Sequence, residues 1–224
     1  SMAFKKDLTA GTYEGDDIPK TTKWVYSVSG LFRDALYALV SGFLLNYIMY
    51  SGVLSSDVES YKAQVNVINI LFIVFLIWDG INDPLFGIIL EKCHLKTGKF
   101  RPWILIGGIL NSIVVALLFC VRPKGWAFVA YWAVFYFLWD AVFTLNDIGY
   151  WSMLPSMTSN EKKRKEITTL MSIFVSIGSF SMYAICSKLP TAENYPYIYT
   201  IISIVACVLF GLSQIAVFFF CKEK

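Results

Sequence analysis

Five aspartates, Asp34, Asp79, Asp83, Asp140 and Asp147, lie inside long apolar stretches of this 224-residue chain, and the only base embedded with them is Arg33. An ionised aspartate at the centre of a membrane helix costs about 2.5 to 3.5 kcal/mol on the lenient insertion scale, so such acids face a cavity, pair, or mark an ion or proton path. Asp79 and Asp83 stand at i, i+4 with Asn82 between them, which puts both carboxylates on one helical face about 6 Å apart. They repel each other unless a proton or a cation sits between them. Asp140, Thr144 and Asp147 repeat at i, i+4 and i+7, and Trp151 continues the stripe. Carboxylate, amide and hydroxyl oxygens suit a hard cation such as Na⁺, or a proton, better than a transition metal. Asp34 and Asp140 could also be read as lying nearer an interface, where their charge would cost less. Pro84 follows Asp83 directly; it lacks an N–H and frees a carbonyl one turn earlier, at the level of the polar cluster.

Elements able to hold acids in this way must be membrane helices. The chain is 57% hydrophobic, 17% aromatic and only 16% charged, with mean hydropathy +0.59, which excludes a water-soluble globule. A span needs about 20 apolar residues, and the hydropathy pattern predicts six: 24–50, 64–90, 102–121, 126–153, 167–187 and 197–221. Residues 1–23 read as a polar tail, with Ser1 the scar of a cleaved tag, and 222–224 as the start of a cytoplasmic central loop. No apolar h-region follows Met2, so a cleaved signal peptide is not expected. Fourteen Lys and Arg fall in the tail, the 2–3 loop, the 4–5 loop and the C-terminal end, against Lys62, Arg122, Lys124 and Lys188 in the alternate loops. The positive-inside rule therefore places both termini in the cytoplasm of a multi-pass protein of the cell membrane.

The aromatics at span ends, Trp24, Trp103, Trp126, Trp151, Tyr195, Tyr197 and Tyr199, read as headgroup anchors. Ser172, Ser176 and Gly178 read as a small-residue stripe for close helix packing. Five scattered cysteines do not suggest a disulfide framework, and Cys93 with the lone His94 is too little for a metal site. Nucleotide loop, nucleophile elbow and zinc motif are all missing from the sequence. An intramembrane aspartyl protease would need a Gly-x-Gly-Asp that this sequence lacks. An enzyme, a bound cofactor and a nucleic-acid partner are therefore not expected.

Asp34-Ala35-Leu36-Tyr37-Ala38-Leu39 in the first span matches Asp140-Ala141-Val142-Phe143-Thr144-Leu145 in the fourth. The first and fourth spans are the equivalent members of a three-plus-three inverted repeat, the unit nested in each six-helix half of the major facilitator architecture.

Longer motifs point the same way. Trp78-Asp79-Gly80-Ile81-Asn82-Asp83-Pro84, followed by Thr97-Gly98-Lys99-Phe100-Arg101-Pro102-Trp103, resembles the glycoside-pentoside-hexuronide:cation symporter family, to which melibiose permease belongs. Asn146-Asp147-Ile148-Gly149-Tyr150-Trp151-Ser152-Met153-Leu154-Pro155 with the basic stretch after it is similar to the family's helix-4 signature, and Arg33-Asp34 to its Lys-Asp pair. The resemblance implies an all-α membrane protein, a six-transmembrane-helix bundle corresponding to the N-terminal half of the major facilitator superfamily fold. It implies a coupling cation, Na⁺, H⁺ or Li⁺, at Asp79, Asn82, Asp83 and Thr144, with Asp147 bridging cation and sugar, and a sugar site at Arg33, Asp34, Asp147 and Trp151. A carboxylate accepts hydrogen bonds from sugar hydroxyls, and an indole face packs on a pyranose ring.

Departures from the family pattern fall mainly on the sugar side. Phe143 replaces a tyrosine, the fifth span carries no arginine, Gly149 stands where proline is usual, and Asp140 adds an acid where a small residue is expected. The expected partners are a small sugar, the bilayer, and a second copy or a second six-helix half. The alternative reading is a half-size subunit or fragment that transports, sugar or another substrate, only after such assembly.

Overall fold

The apolar runs fold as six helices, α1 Lys20–Tyr50, α2 Val58–Lys92, α3 Arg101–Cys120, α4 Trp126–Met157, α5 Glu161–Lys188 and α6 Tyr197–Phe220. The structure, a computed structural model, describes residues 18–223 except His94 and Thr97. Ser1, Lys5, Lys6, His94, Thr97 and Lys224 from the sequence argument lie outside the described residues. All six helices are long and apolar enough to cross a membrane. Among the described residues no strand occurs, only an isolated bridge between Leu95 and Gly98.

Two helices begin well before their apolar stretches, because their caps do. Asp57 accepts the Ser60 amide at 2.9 Å and starts α2 at Val58; this bond and the Ser60 hydroxyl hold the Asp57 carboxyl below the usual carboxylate range. Asn160 accepts the amides of Lys162 and Lys163 and starts α5 at Glu161, so the basic 4–5 loop of the sequence reading is the first turn of a helix. Pro102 sits in the first turn of α3, where its missing N–H is harmless.

The main helix contacts form one series. α5 packs on α1, α1 on α6, α6 on α3, α3 on α4, and α4 on α2. Exchanging α1 with α4, α2 with α5 and α3 with α6 maps this series onto itself, which is the contact pattern of an inverted three-plus-three repeat. Tyr37 and Phe143, equivalent in the sequence match, meet with ring centroids 5.4 Å apart.

Two apolar clusters fill the interior. The larger includes Leu36, Tyr47, Phe119, Trp132 and Tyr199. The smaller includes Tyr26, Ile104, Tyr150, Met171 and Val217. Between them every helix except α5 contributes buried polar residues to one layer: Arg33 from α1, Asn82 from α2, Asn111 from α3, Thr144 and Asn146 from α4, Gln214 from α6. Gly107 and Gly108 let α4 and α6 close on α3 at this level, since a Cβ on either would come within 2.7 Å of Asn146 Cβ or 2.6 Å of Gln214 Cβ.

Both chain ends of the described region meet at the smaller cluster. Thr22 donates to the Phe220 carbonyl at 2.7 Å. Glu223 accepts the amides of Lys99, Phe100 and Arg101 at 2.7, 2.6 and 2.6 Å, and Arg101 Nε donates to the Phe218 carbonyl at 3.0 Å. Gly98, with φ 130°, brings the chain against this carboxylate, where a Cβ would lie 2.9 Å from Oε1. The Gly-Lys-Phe-Arg-Pro-Trp motif thus forms a structural clasp between the start of α3 and the end of α6.

Some aromatics do not sit where the sequence placed them. Tyr199 is fully buried, packed on Tyr47 and Phe119, so it is a core residue and not a headgroup anchor. Trp103 Nε1 is buried, while Trp24 and Trp126 stay half exposed. The apolar fraction of a helix end does not reveal which of its faces meets a neighbour.

Candidate functional site

A cavity of about 410 Å³ opens among α1, α4 and α5, and its walls include Arg33, Asp34, Asp147 and Trp151 together. Buried Arg33 reaches across from α1 to α4. Its Nη2 donates to Asp147 Oδ1 at 2.6 Å and its Nε to Asn146 Oδ1 at 3.2 Å. The guanidinium lies over the Tyr150 ring, 4.1 Å from the centroid, with Phe143 on another side at 5.5 Å. Such stacking suits the planar, weakly hydrated guanidinium better than an ammonium. Trp151, one turn past Asp147, donates its indole N–H to the same Oδ1 at 3.2 Å. Asp147 remains about two-fifths exposed, so its carboxylate is oriented by two donors and still open to the cavity.

Supporting residues hold this arrangement. Tyr150 stacks on Tyr26 at 4.4 Å, and Ser29 donates to its hydroxyl at 3.0 Å. The Asn146 amide donates to both the Ile104 carbonyl and Gln214 Oε1 at 3.0 Å, so one side chain joins α1, α3, α4 and α6. The sequence reading missed Asn146 and Gln214 as site supports. The available signal was a lone amide in the middle of an apolar span.

Asp34 lines the same cavity, with Ser179 of α5 nearby. Ser172 and Ser176 also face the cavity, their hydroxyls bonded to carbonyls one turn back. The small-residue stripe expected from the sequence therefore divides: the serines line the cavity, and Gly178 alone packs on α1, where a Cβ would collide with the Leu31 carbonyl.

On the other side of α4, α2 brings Asp79, Asn82 and Asp83 to Thr144. Asn82 Nδ2 donates to Thr144 Oγ1 at 2.9 Å with both residues buried, and Asp83 lies close by. Asn82 Oδ1 is buried with no hydrogen-bond partner. Asp140 joins this group: it lies near enough to Asp79 for the two carboxylates to interact, and its Oδ2 is buried without a donor. Asp140 stands near the middle of α4. Asp147 stands one turn beyond Thr144 with Oδ1 turned toward Arg33. Among the described residues no three His, Cys, Asp or Glu side chains converge as a metal ligand set.

The sequence matches the family described as MFS/sugar transport protein over residues 25–224. It is 26% identical to a lactose permease of Leuconostoc lactis across 98% of this chain and 36% of the relative. It is 27% identical to a raffinose carrier protein of Pediococcus pentosaceus across 70% and 26%, and 26% identical to an isoprimeverose transporter of Lactiplantibacillus pentosus across 86% and 40%. The chain thus spans between about a quarter and two-fifths of the length of these relatives. Its six apolar helices and the extent of this match make it a multi-pass membrane protein, and it belongs to the MFS/sugar transport protein family, within which it covers the N-terminal half of the fold.

Proposed function

We propose that this six-helix unit is half of a cation-coupled transporter of sugars or glycosides, with both termini cytoplasmic in the cell membrane. The observation that carries this reading is the cavity that gathers Arg33 and Asp34 of α1 with Asp147 and Trp151 of α4, one α4 turn away from the Asp79, Asn82, Asp83, Thr144 group. Asp147, pre-oriented by Arg33 and Trp151, accepts hydrogen bonds from sugar hydroxyls, and the exposed Trp151 face packs on the ring. The unpartnered Asn82 Oδ1 and the carboxylates of Asp79 and Asp83 offer the mixed oxygen set that a Na⁺ ion takes, and the facing Asp79 and Asp140 offer a place for a shared proton. Asp147 borders both groups, which lets occupancy of one alter the other. The names of the relatives, a lactose permease and a raffinose carrier, support a glycoside as the substrate class.

Transport would require a second six-helix unit, since alternating access rocks one half against the other around a shared site. α2, one end of the contact series, has one principal neighbour and exposes apolar residues such as Ile73 and Ile77, which favours assembly with itself or with another half. Titration of the Trp151 fluorescence of the purified protein with galactosides, pentosides and glucuronides tests the sugar site. Silence across all three classes removes it. Oligomeric state in nanodiscs tests the assembly, and a stable dimer is the outcome expected if two copies of this chain form the working unit.

A further inference from the structure

A second groove, of about 480 Å³, lies between the starts of α1 and α5, away from the sugar cavity. Its rim is basic: Lys23 of α1, and Lys162 and Lys165 from the first turns of α5. Among the described residues Glu166 is the only acid lining it, and it lies 3.8 Å from Lys23. Lys162 and Lys165 have no carboxylate partner among the described residues. Arg164, between them, is turned away and donates to the carbonyls of Thr158 and Pro155. The opposite end of the groove is apolar, with Leu170 and the half-exposed Ile173. Trp24 forms a side wall, half exposed and edge-on to Phe174 at 6.1 Å. Below Ile173, the exposed Ile177 and Phe180 continue the same face of α5 at i+4 and i+7.

A cationic rim, an amphipathic indole at its side and an apolar ladder leading away along the helix match the shape and polarity of a phospholipid. The positive end of the α5 dipole adds to the attraction for a phosphate. We propose that this groove binds one anionic phospholipid, its phosphodiester held by Lys162 and Lys165 and one acyl chain lying along Ile173, Ile177 and Phe180. Charge complementarity selects the occupant, because a zwitterionic headgroup would bring its own ammonium against two unpaired lysines. Such a lipid would staple α1 to α5, the helices that form one wall of the sugar cavity. The proposal rests on the membrane placement of the chain and is independent of which substrate is carried.

Native mass spectrometry of the full chain released from detergent tests it, with phosphatidylglycerol and phosphatidylcholine of identical acyl chains as probes. The expected result is preferential retention of phosphatidylglycerol that falls roughly ten-fold in a Lys162→Gln/Lys165→Gln variant, the scale of two basic groups at an anionic headgroup. Phosphatidylcholine retention stays unchanged in that variant. A Lys92→Gln/Lys96→Gln variant, which removes the same charge at the end of α2, keeps the wild-type preference. Equal retention of the two lipids by the wild type, no loss in the first variant, or an equal loss in the second overturns the proposal. Displacement of phosphatidylglycerol by inorganic phosphate at millimolar concentration overturns it as well, because the site would then belong to a free anion.

Discussion

The slot between α1 and α5 and the slot between α4 and α2 are equivalent under the inverted repeat, and they have acquired opposite chemistry. Asp34 and Asp140 occupy matching positions in the two repeats. Asp34 meets a hydroxyl, Ser179, on its partner helix, whereas Asp140 meets a carboxylate, Asp79. The first slot adds Ser172 and Ser176, and its border acid Asp147 is matched by Arg33 at 2.6 Å. In the second, Asp79, Asp83 and Asp140 lie on the two helices that also supply the Asn82 amide and the Thr144 hydroxyl, and no base pairs with them among the described residues. A slot whose border acid is already paired with a base suits a neutral, hydroxyl-rich ligand. A slot with excess negative charge is complete only when a proton or a cation joins it.

Substitutions that exchange or erase this difference should have graded effects. The largest is expected for Asp83→Asn, which should abolish the rise in thermal stability on adding Na⁺, Li⁺ or acid; ligand at a hundred times its Kd contributes about 2.7 kcal/mol, and all of it should vanish. An Asp83→Asn protein that keeps the wild-type shift would end the cation assignment. Arg33→Gln should weaken the glycoside-induced change in Trp fluorescence by roughly 10- to 100-fold, the scale of a lost charged hydrogen bond of about 1.5 to 3 kcal/mol. The same variant should leave the Na⁺ shift within about two-fold, and a parallel loss of both would merge the two slots into one.

Asp140→Asn should act on pH dependence. Facing carboxylates repel when both are ionised, so the variant should gain roughly 1 to 4 kcal/mol over wild type at alkaline pH and nothing at acid pH, where a proton bridges the pair. Denaturation in detergent across that range is the measurement. The smallest effect is expected for Phe143→Tyr, whose new hydroxyl faces the sugar cavity: about a two-fold tightening of glycoside binding, near 0.5 kcal/mol.

The six helices and the acids were legible in the sequence because each is a local property, a run of apolar residues or a charge within one. The meeting of Arg33 with Asp147 and the grouping of Asp79, Asn82, Asp83 and Thr144 followed from motif resemblance, not from spacing, since they lie on different helices. Asn146 and Gln214 escaped notice because a single amide in a span announces only that it has a partner, not which one. Ser172 and Ser176 were misread for a related reason: small size serves equally for packing and for lining a cavity, and only the identity of the opposing surface distinguishes them. The clasp at Glu223 depends on three backbone amides, which carry no side-chain signature.

The polar layer between the two apolar clusters has a mechanical consequence. Sliding one greasy helix past another by a turn of about 5.4 Å costs little if every contact is replaced by a similar one. Here Arg33, Asn146, Gln214 and the Ile104 carbonyl interlock across four helices, and a one-turn slip of any of them would strand a buried donor or acceptor at about 1 to 3 kcal/mol each. The layer therefore works as a detent. It holds α1, α3, α4 and α6 in register as one block, and it leaves α2 and α5, which lie outside that interlock, as the members freest to shift.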